Sequence, residues 1–380
     1  MEKRLARLFE KTRINGLDLD NRLVRSATWE GMCTEDGGPT PQLKELYRNL
    51  AGGGVGLITT GFAFVTADGK PLPGAMGLHR DDLTAELCDL TRIVHEQGGR
   101  ICAQLGHAGG QTRAALIGER PLAPSAVAAP QYRPESPREM SRKDIERIGA
   151  GFVAAAKRAR DCGFDAVQLH AAHGYLFNQF LSPHTNQRRD EYGGDWRRRS
   201  RFLLETLAQV RQAVGRDYPV TVKLNASDNL DSGLELGEAV LIAQALDQAG
   251  VDAIEVSAGT PASGERNPLR TGILSPAAEA YNLRLGRTIK QAVDCPVITV
   301  GGIRSYWTAR EVVRRRDSDY IALCRPLIRE PNLPVRWRRP EAGTLSQCIS
   351  CNACFKTALK GSLTCVAADS PSGKEVGDEA

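Results

Sequence analysis

Residues Arg142 to Tyr175 read RKDIERIGAGFVAAAKRARDCGFDAVQLHAAHGY, and one unit of the fold is legible in them alone. Apolar residues recur at three- and four-residue spacing through the first part (Ile145, Ile148, Phe152, Ala155, Ala159), the pattern of an amphipathic helix. Gly163 stops that helix, Gly163-Phe164-Asp165 makes a short turn, and Ala166 to His170 is a brief β-rich run. The same order recurs outward in both directions. Strand-like runs are expected at Leu23 to Ala27, Val55 to Thr60, Ile101 to Leu105, Ala166 to His170, Val220 to Asn225, Ala253 to Ser257, Val297 to Val300 and Tyr320 to Cys324, eight in all. Helical stretches such as LTAELCDLTRIVHEQGG and GEAVLIAQALDQAG lie between them, the second ending at a Gly-Val-Asp turn from Gly250.

Eight β/α units over about 300 residues predict an α/β fold of the (β/α)8 TIM-barrel type, which typically takes about 250 residues and accepts insertions. A doubly wound sheet shares the β-α repeat, but no G-x-G-x-x-G follows an early strand, and Gly52-Gly53-Gly54 precedes strand two as a helix stop. The expected organisation is a barrel over 1–335 and a short C-terminal cysteine-rich extension over 336–380, its last residues disordered. In such barrels the chemistry lies at the C-terminal ends of the strands. That rule selects Ala27, Thr28, Gly61, Gln104, His107, His170, His173, Lys223, Ser257, Gly259, Gly301, Gly302, Cys324 and Arg325. Two longer excursions, Gly109 to Met140 with five prolines and Tyr175 to Trp196, are expected to wall or cover that end.

Composition narrows the function classes. The 380 residues are 41% hydrophobic and 25% charged, near the globular average, which excludes a mainly disordered protein. No uncharged apolar run approaches the roughly 18 residues of a membrane helix, and MEKRLARLFEK lacks a signal-peptide core. A cytoplasmic location without membrane attachment is expected. The net charge of +5 is mild and sits in Arg-rich stretches better read as solvated helix faces than as a nucleic-acid surface. Of ten cysteines, Cys348, Cys351, Cys354 and Cys365 fall within the last 33 residues, and a C-x2-C-x2-C run in a cytosolic chain points to metal rather than disulfides.

Four constellations carry chemistry. His170-Ala-Ala-His173-Gly-Tyr175 closes a strand beside a long loop, where imidazoles can hydrogen-bond a carbonyl oxygen gaining negative charge and a phenol can donate a proton. The bland alternative is a pair of structural histidines. Gly301-Gly302 and Cys324-Arg325 follow strands seven and eight, the loops that frequently hold phosphate in these barrels; ordinary turn glycines beside a surface arginine are the alternative. Lys223, with Val222 and Leu224 facing the other way, would point into the barrel mouth and needs an anion there unless it snorkels to solvent. The four cysteines suit either a [4Fe–4S] cluster or Zn²⁺; zinc sites usually pair two short knuckles, so one compact triple with a fourth cysteine after ten intervening residues favours iron–sulfur.

HAAHGYLFNQFLSPHTNQRRDEYGG from His170 to Gly194 resembles the signature segment of the Old Yellow Enzyme family of FMN-dependent NADH:flavin oxidoreductases. NRLVRSATWEGM, AQLGHAGGQT and VKLNASD are similar to the family's other flavin-site segments, in the same order, over residues 5 to 330. The resemblance implies an FMN-binding (β/α)8 barrel in which Ser26, Ala27, Thr28 and Gly61 line the isoalloxazine and Gln104 bonds its pyrimidine edge. Lys223 would stabilise the anionic reduced ring, and Gly301, Gly302, Cys324 and Arg325 would hold the phosphate. His170 and His173 would bind the carbonyl oxygen of an α,β-unsaturated substrate, hydride would reach its β-carbon, and Tyr175 would protonate the α-carbon. Where many members carry Thr or Cys near the flavin O4, this chain has Trp29. The tail resembles the iron–sulfur segment of 2,4-dienoyl-CoA reductase and trimethylamine dehydrogenase, with a somewhat shorter last interval. By that resemblance electrons come from NADH or NADPH, directly or through a separate flavoprotein or ferredoxin, and a homo-oligomer is expected. Two other readings are oxidation of a small amine and an electron-transfer subunit of a larger complex.

Overall fold

The computed structural model describes residues 7–127 and 136–368. Eight parallel strands close on themselves: β1 (Leu23–Arg25), β2 (Leu57–Phe64), β3 (Ile101–Gly106), β4 (Ala166–Ala171), β5 (Val220–Asn225), β6 (Ala253–Ser257), β7 (Val297–Val300) and β8 (Tyr320–Leu323). Each pairs with its neighbour in sequence, and β1 pairs with both β8 and β2, which seals the barrel. The architecture is a (β/α)8 TIM barrel. The expected strands agree with these to within a few residues. The largest difference is β2, which runs on to Phe64 through a register shift against β3 between Thr59 and Phe62.

Helices α1 (Pro41–Gly52), α2 (Thr84–Glu96), α3 (Arg142–Asp161), α4 (Trp196–Val214), α5 (Leu236–Gln248), α6 (Leu283–Lys290) and α7 (Tyr306–Arg314) alternate with the strands. Their starts are locally encoded. Ser141 and Asp144 make a reciprocal capping box on α3, Asp195 caps α4, and Thr40 with Pro41 opens α1. The helix faces bury Ile145, Ile148, Phe152 and their counterparts in one continuous core against the outward strand residues Val222, Leu224, Val167 and Leu169.

Alternation along the strands then decides what fills the barrel. At its N-terminal end the inward residues are apolar (Val24, Leu57, Cys102, Ala166, Ala253, Ile298), plugged by Ile14, Leu17 and Leu19 of a hairpin formed by Thr12–Ile14 and Leu17–Leu19. One layer higher they turn polar, with Gln104, Gln168, Lys223 and Glu255 all buried.

The two excursions stand over the C-terminal end. The first contains a short helix, Ala114–Ile117, and a small ladder between Leu122–Ala123 and Arg138–Glu139; residues 128–135 of it lie outside the described residues. Arg188 of the second is buried and donates to the carbonyls of Pro124 (2.8 Å) and Met140 (2.7 Å), tying both excursions together.

Beyond β8 come α8 (Arg325–Arg329) and α9 (Leu333–Trp337), then a segment that returns to the barrel mouth and ends in α10 (Ala353–Ala358). Helix α9 runs across 335/336, where the extension was expected to begin. Trp337 is fully buried beside Tyr306, and Ala358 and Leu363 join the main core. Gly31 abuts the carbonyl of Ala358 so closely that a Cβ there would strike its oxygen, and the Phe355 ring lies 5.8 Å from that of Trp29. The residues expected to be disordered, 369–380, lie outside the described residues. Among the described residues no helix is long and apolar enough to cross a membrane.

Candidate active site at the barrel mouth

Strand β4 delivers His170 into the mouth with only 4% of its surface exposed. Two left-handed residues follow, His173 (φ 60°) and Gly174 (φ 76°), and they fold the chain back over the opening. A histidine rarely adopts that conformation. Here it is held from three sides: Gln111 Nε2 donates to the His173 carbonyl (2.8 Å), the His173 amide donates to Asn225 Oδ1 (3.2 Å), and His173 Nε2 shares a hydrogen bond with Ser257 Oγ (2.7 Å). The His170 ring therefore lies 5.3 Å from that of His173, edge to face, and 5.0 Å from that of Tyr175; Phe62 closes the group 4.8 Å from Tyr175.

The electrostatics follow from burial. Desolvation, with Lys223 nearby, pushes both imidazoles well below the usual histidine range, so both are neutral at pH 7. Desolvation pushes the Tyr175 phenol up to about 12, so it keeps its proton. His170 Nδ1 is buried without a hydrogen-bond partner. Two neutral imidazoles and a protonated phenol around an unsatisfied nitrogen make a place for a ligand oxygen.

Lys223 points inward, as alternation predicts, but its anion comes from within the chain. Register sets it opposite Glu255, and its Nζ donates to Glu255 Oε1 (2.9 Å) and Ser26 Oγ (2.9 Å). Ser26 also donates to Glu255 (2.6 Å), Gln168 donates to the other carboxylate oxygen (3.0 Å), and Gln104 donates to Gln168 (2.8 Å). Burial raises the Glu255 carboxyl, yet Lys223 and these hydrogen bonds outweigh it and the net direction is down. Sequence reasoning passed over Glu255 and Gln168. The signal was present: an acid at the inward parity of an otherwise apolar strand, AIEVS, needs a buried partner.

The remaining expected residues divide. Ala27 and Thr28 stand half-buried at the rim, and Thr28 Oγ1 lies 2.9 Å from Cys324 Sγ. Gly61 sits in the register shift of β2 with its amide on Tyr47 Oη (3.1 Å), and a Cβ there would strike Glu30. His107 is not part of the mouth group; it packs on Gly69 and faces Asp68 at 3.6 Å. Gly301 and Gly302 both have positive φ and close approach to the Tyr281 ring. Among the described residues the amides of Gly302, Cys324 and Arg325 meet no acceptor in the chain, so three donors are available on the two loops expected to hold phosphate. The Arg325 guanidinium, expected to face the phosphate, turns to the tail instead, donating to Asn352 Oδ1 (2.6 Å), the Arg270 carbonyl (2.7 Å) and the Ser350 carbonyl (3.4 Å).

All four tail cysteines line one small pocket, together with Arg325 and Asn352. Cys348 is buried and Cys351 exposed; burial pushes the Cys354 thiol up to about 11. Among the described residues no three His, Cys, Asp or Glu side chains converge as a single metal-ion site.

A parallel barrel with free amide donors after β7 and β8 and a His-His-Tyr group over a buried lysine is the arrangement expected of a flavin-type oxidoreductase. The model of the NADH:flavin oxidoreductase / NADH oxidase family matches residues 7–341, and the chain belongs to that family of FMN-dependent enzymes, of the Old Yellow Enzyme type. It is 37% identical over 349 residues to the NADH oxidase of Thermoanaerobacter brockii, a match covering 91% of this chain and 52% of that protein. It is 35% identical over 342 residues to the NADPH dehydrogenase of Geobacillus sp. (strain WCH70), covering 89% of this chain and 96% of that one. Among solved structures, a 2-naphthoyl-CoA reductase superposes with a TM-score of 0.88 at 26% identity over 95% of this chain and 56% of the other. The chain spans about half the length of the NADH oxidase it matches.

Proposed function

We propose that this chain is an ene-reductase, taking electrons from NADH or NADPH and reducing the activated C=C of an α,β-unsaturated carbonyl compound. The observation that carries the reading is the buried, unpartnered His170 Nδ1, grouped with His173 and within 5.0 Å, ring to ring, of a protonated Tyr175. FMN would be held by Ser26, Ala27, Thr28, Gly61 and Gln104 along its ring, by Lys223 at its pyrimidine edge, and by Gly301, Gly302, Cys324 and Arg325 at its phosphate. The fit rests on the amides of Gly302, Cys324 and Arg325, which lack acceptors in the chain, and on the inward polar layer beneath the mouth. When bound, FMN supplies hydride to carbon and is recharged by NAD(P)H.

The chain's own residues do the rest. Neutral His170 and His173 donate N–H to the substrate carbonyl, where charge accumulates, without first losing a proton. Tyr175 holds the proton that the α-carbon receives. Phe62, Phe64 and Ala75, with Trp29 and Tyr175 packed against them, give this side of the mouth an apolar wall suited to a flat, unsaturated substrate. Ring-bearing acyl thioesters fall in that class, as the name of the superposing 2-naphthoyl-CoA reductase suggests.

We further propose that the tail cysteines bind a [4Fe–4S] cluster that passes electrons to or from the flavin. What supports this reading is that all four cysteines line one pocket, and that a compact triple with a distant fourth departs from the paired short knuckles usual for zinc. The same pocket favours a second reading, an electron-transfer subunit in a larger assembly. An anaerobic visible spectrum with iron and sulfide analysis tests the cofactors. An enone that reoxidises the reduced wild-type chain, but not the His170→Ala variant, establishes the ene-reductase; reoxidation only by a protein partner, unchanged in that variant, establishes the subunit.

A further inference from the structure

Glu255 is 0% exposed, deep in the barrel, and the polar groups beneath the mouth converge on it. Its Oε1 accepts from Lys223 Nζ (2.9 Å) and Ser26 Oγ (2.6 Å), and its Oε2 accepts from Gln168, which itself accepts from Gln104. Three of the residues proposed to face the flavin are thus joined, directly or through Gln168, to one carboxylate. An ammonium has three N–H groups. Two of those on Lys223 are taken by Ser26 and Glu255, and the third is left for the mouth.

We propose that Glu255 is a positioning residue that sets the reduction potential of the flavin, aiming the free N–H of Lys223 while limiting how far that lysine stabilises negative charge on the ring. The inference rests on the flavin reading above. Hydride transfer from NAD(P)H delivers two electrons and the hydrogen at N5, NAD(P)⁺ leaves, and the ring gains one negative charge. A lone buried ammonium would favour that charge strongly. An ammonium 2.9 Å from a carboxylate acts as a dipole, whose field falls off faster with distance. The carboxylate therefore holds the flavin at a lower potential than lysine alone would, which makes it the stronger reductant toward a C=C bond.

The test is the midpoint potential of FMN bound to the wild-type chain and to the Glu255→Gln and Glu255→Asp variants, equilibrated anaerobically with a reference dye. Glu255→Gln keeps shape and hydrogen bonds, because Gln168 and Gln104 are amides that can reverse in turn. It should raise the preference for reduced over oxidised flavin about tenfold, about 30 mV positive for a two-electron couple. Glu255→Asp keeps the charge but draws it away from Lys223, and should shift the potential in the same direction by less; it carries the test alone if the Gln variant does not fold. FMN bound at the wild-type potential in both variants, or at a lower one, overturns the inference and leaves the flavin reading standing. Failure of both variants to fold also overturns it, since Glu255 would then serve assembly. A wild-type chain that takes up no FMN overturns the flavin reading itself.

Discussion

His173 and His170 owe their chemistry to being buried uncharged, and that has a cost that can be measured. An imidazole whose folded pKa lies below the ordinary 6.5 adds nothing above that value. Below pH 6.5 the unfolded chain takes up protons that the folded chain refuses, and stability is lost as pH falls toward the folded pKa. For each buried imidazole the slope starts at about half of 1.4 kcal/mol per pH unit at pH 6.5 and approaches about 1.4 as the unfolded imidazole becomes fully protonated. We expect denaturant midpoints of the wild type to fall more steeply between pH 6.5 and 5.5 than those of a His170→Asn/His173→Asn double variant; equal slopes would count against buried neutral imidazoles. Asparagine also tolerates the left-handed conformation at 173. Tyr175→Phe removes a proton donor and little volume. Enone-dependent reoxidation should slow by about 10²-fold, the size of a lost general acid, while reduction by NAD(P)H keeps its rate in rapid-mixing experiments.

At the scale of elements, the strands were legible because parallel barrel strands are short, apolar and bounded by glycine or polar residues, as at Gly163-Phe164-Asp165 before β4. Inward parity was legible for the same reason, and Lys223 points where its alternating neighbours require. Partners across strands were not. That Lys223 meets Glu255, and Gln104 meets Gln168, depends on register between elements far apart in sequence. The bulge in β2 was equally hidden, since Val55 to Thr60 gives no sign that the strand continues to Phe64. The join between the two excursions belongs to this scale too. Arg188→Met removes both carbonyl contacts and the pairing with Asp190, and should cost about 2–3 kcal/mol. Limited proteolysis should then cut first within 109–140; a wild-type digestion pattern would show that the excursions hold without it.

For the whole molecule, the tail is the part the sequence described least. Its cysteine spacing is the basis of the metal reading, which the described residues do not show, and it gives no sign of where the tail sits, because Trp29, Gly31 and Arg325 become its floor only once the barrel has closed. Ending the chain after Gly343 should expose Trp29 and shift its fluorescence to the red, and Cys348→Ser should abolish iron binding with the flavin retained. Unchanged emission in the first, or full iron content in the second, would contradict the packing and the ligand set respectively. Arg325 stands at the join of these two halves, its amide on the loop after β8 and its guanidinium bonded to Ser350 and Asn352 of the tail. A residue shared in this way makes occupancy a reciprocal matter: whatever ordering one pocket gains by being filled, it lends to the other by the same factor. If the two pockets hold the groups proposed for them, the flavin dissociation constant is expected to change with the redox and metal state of the tail cysteines.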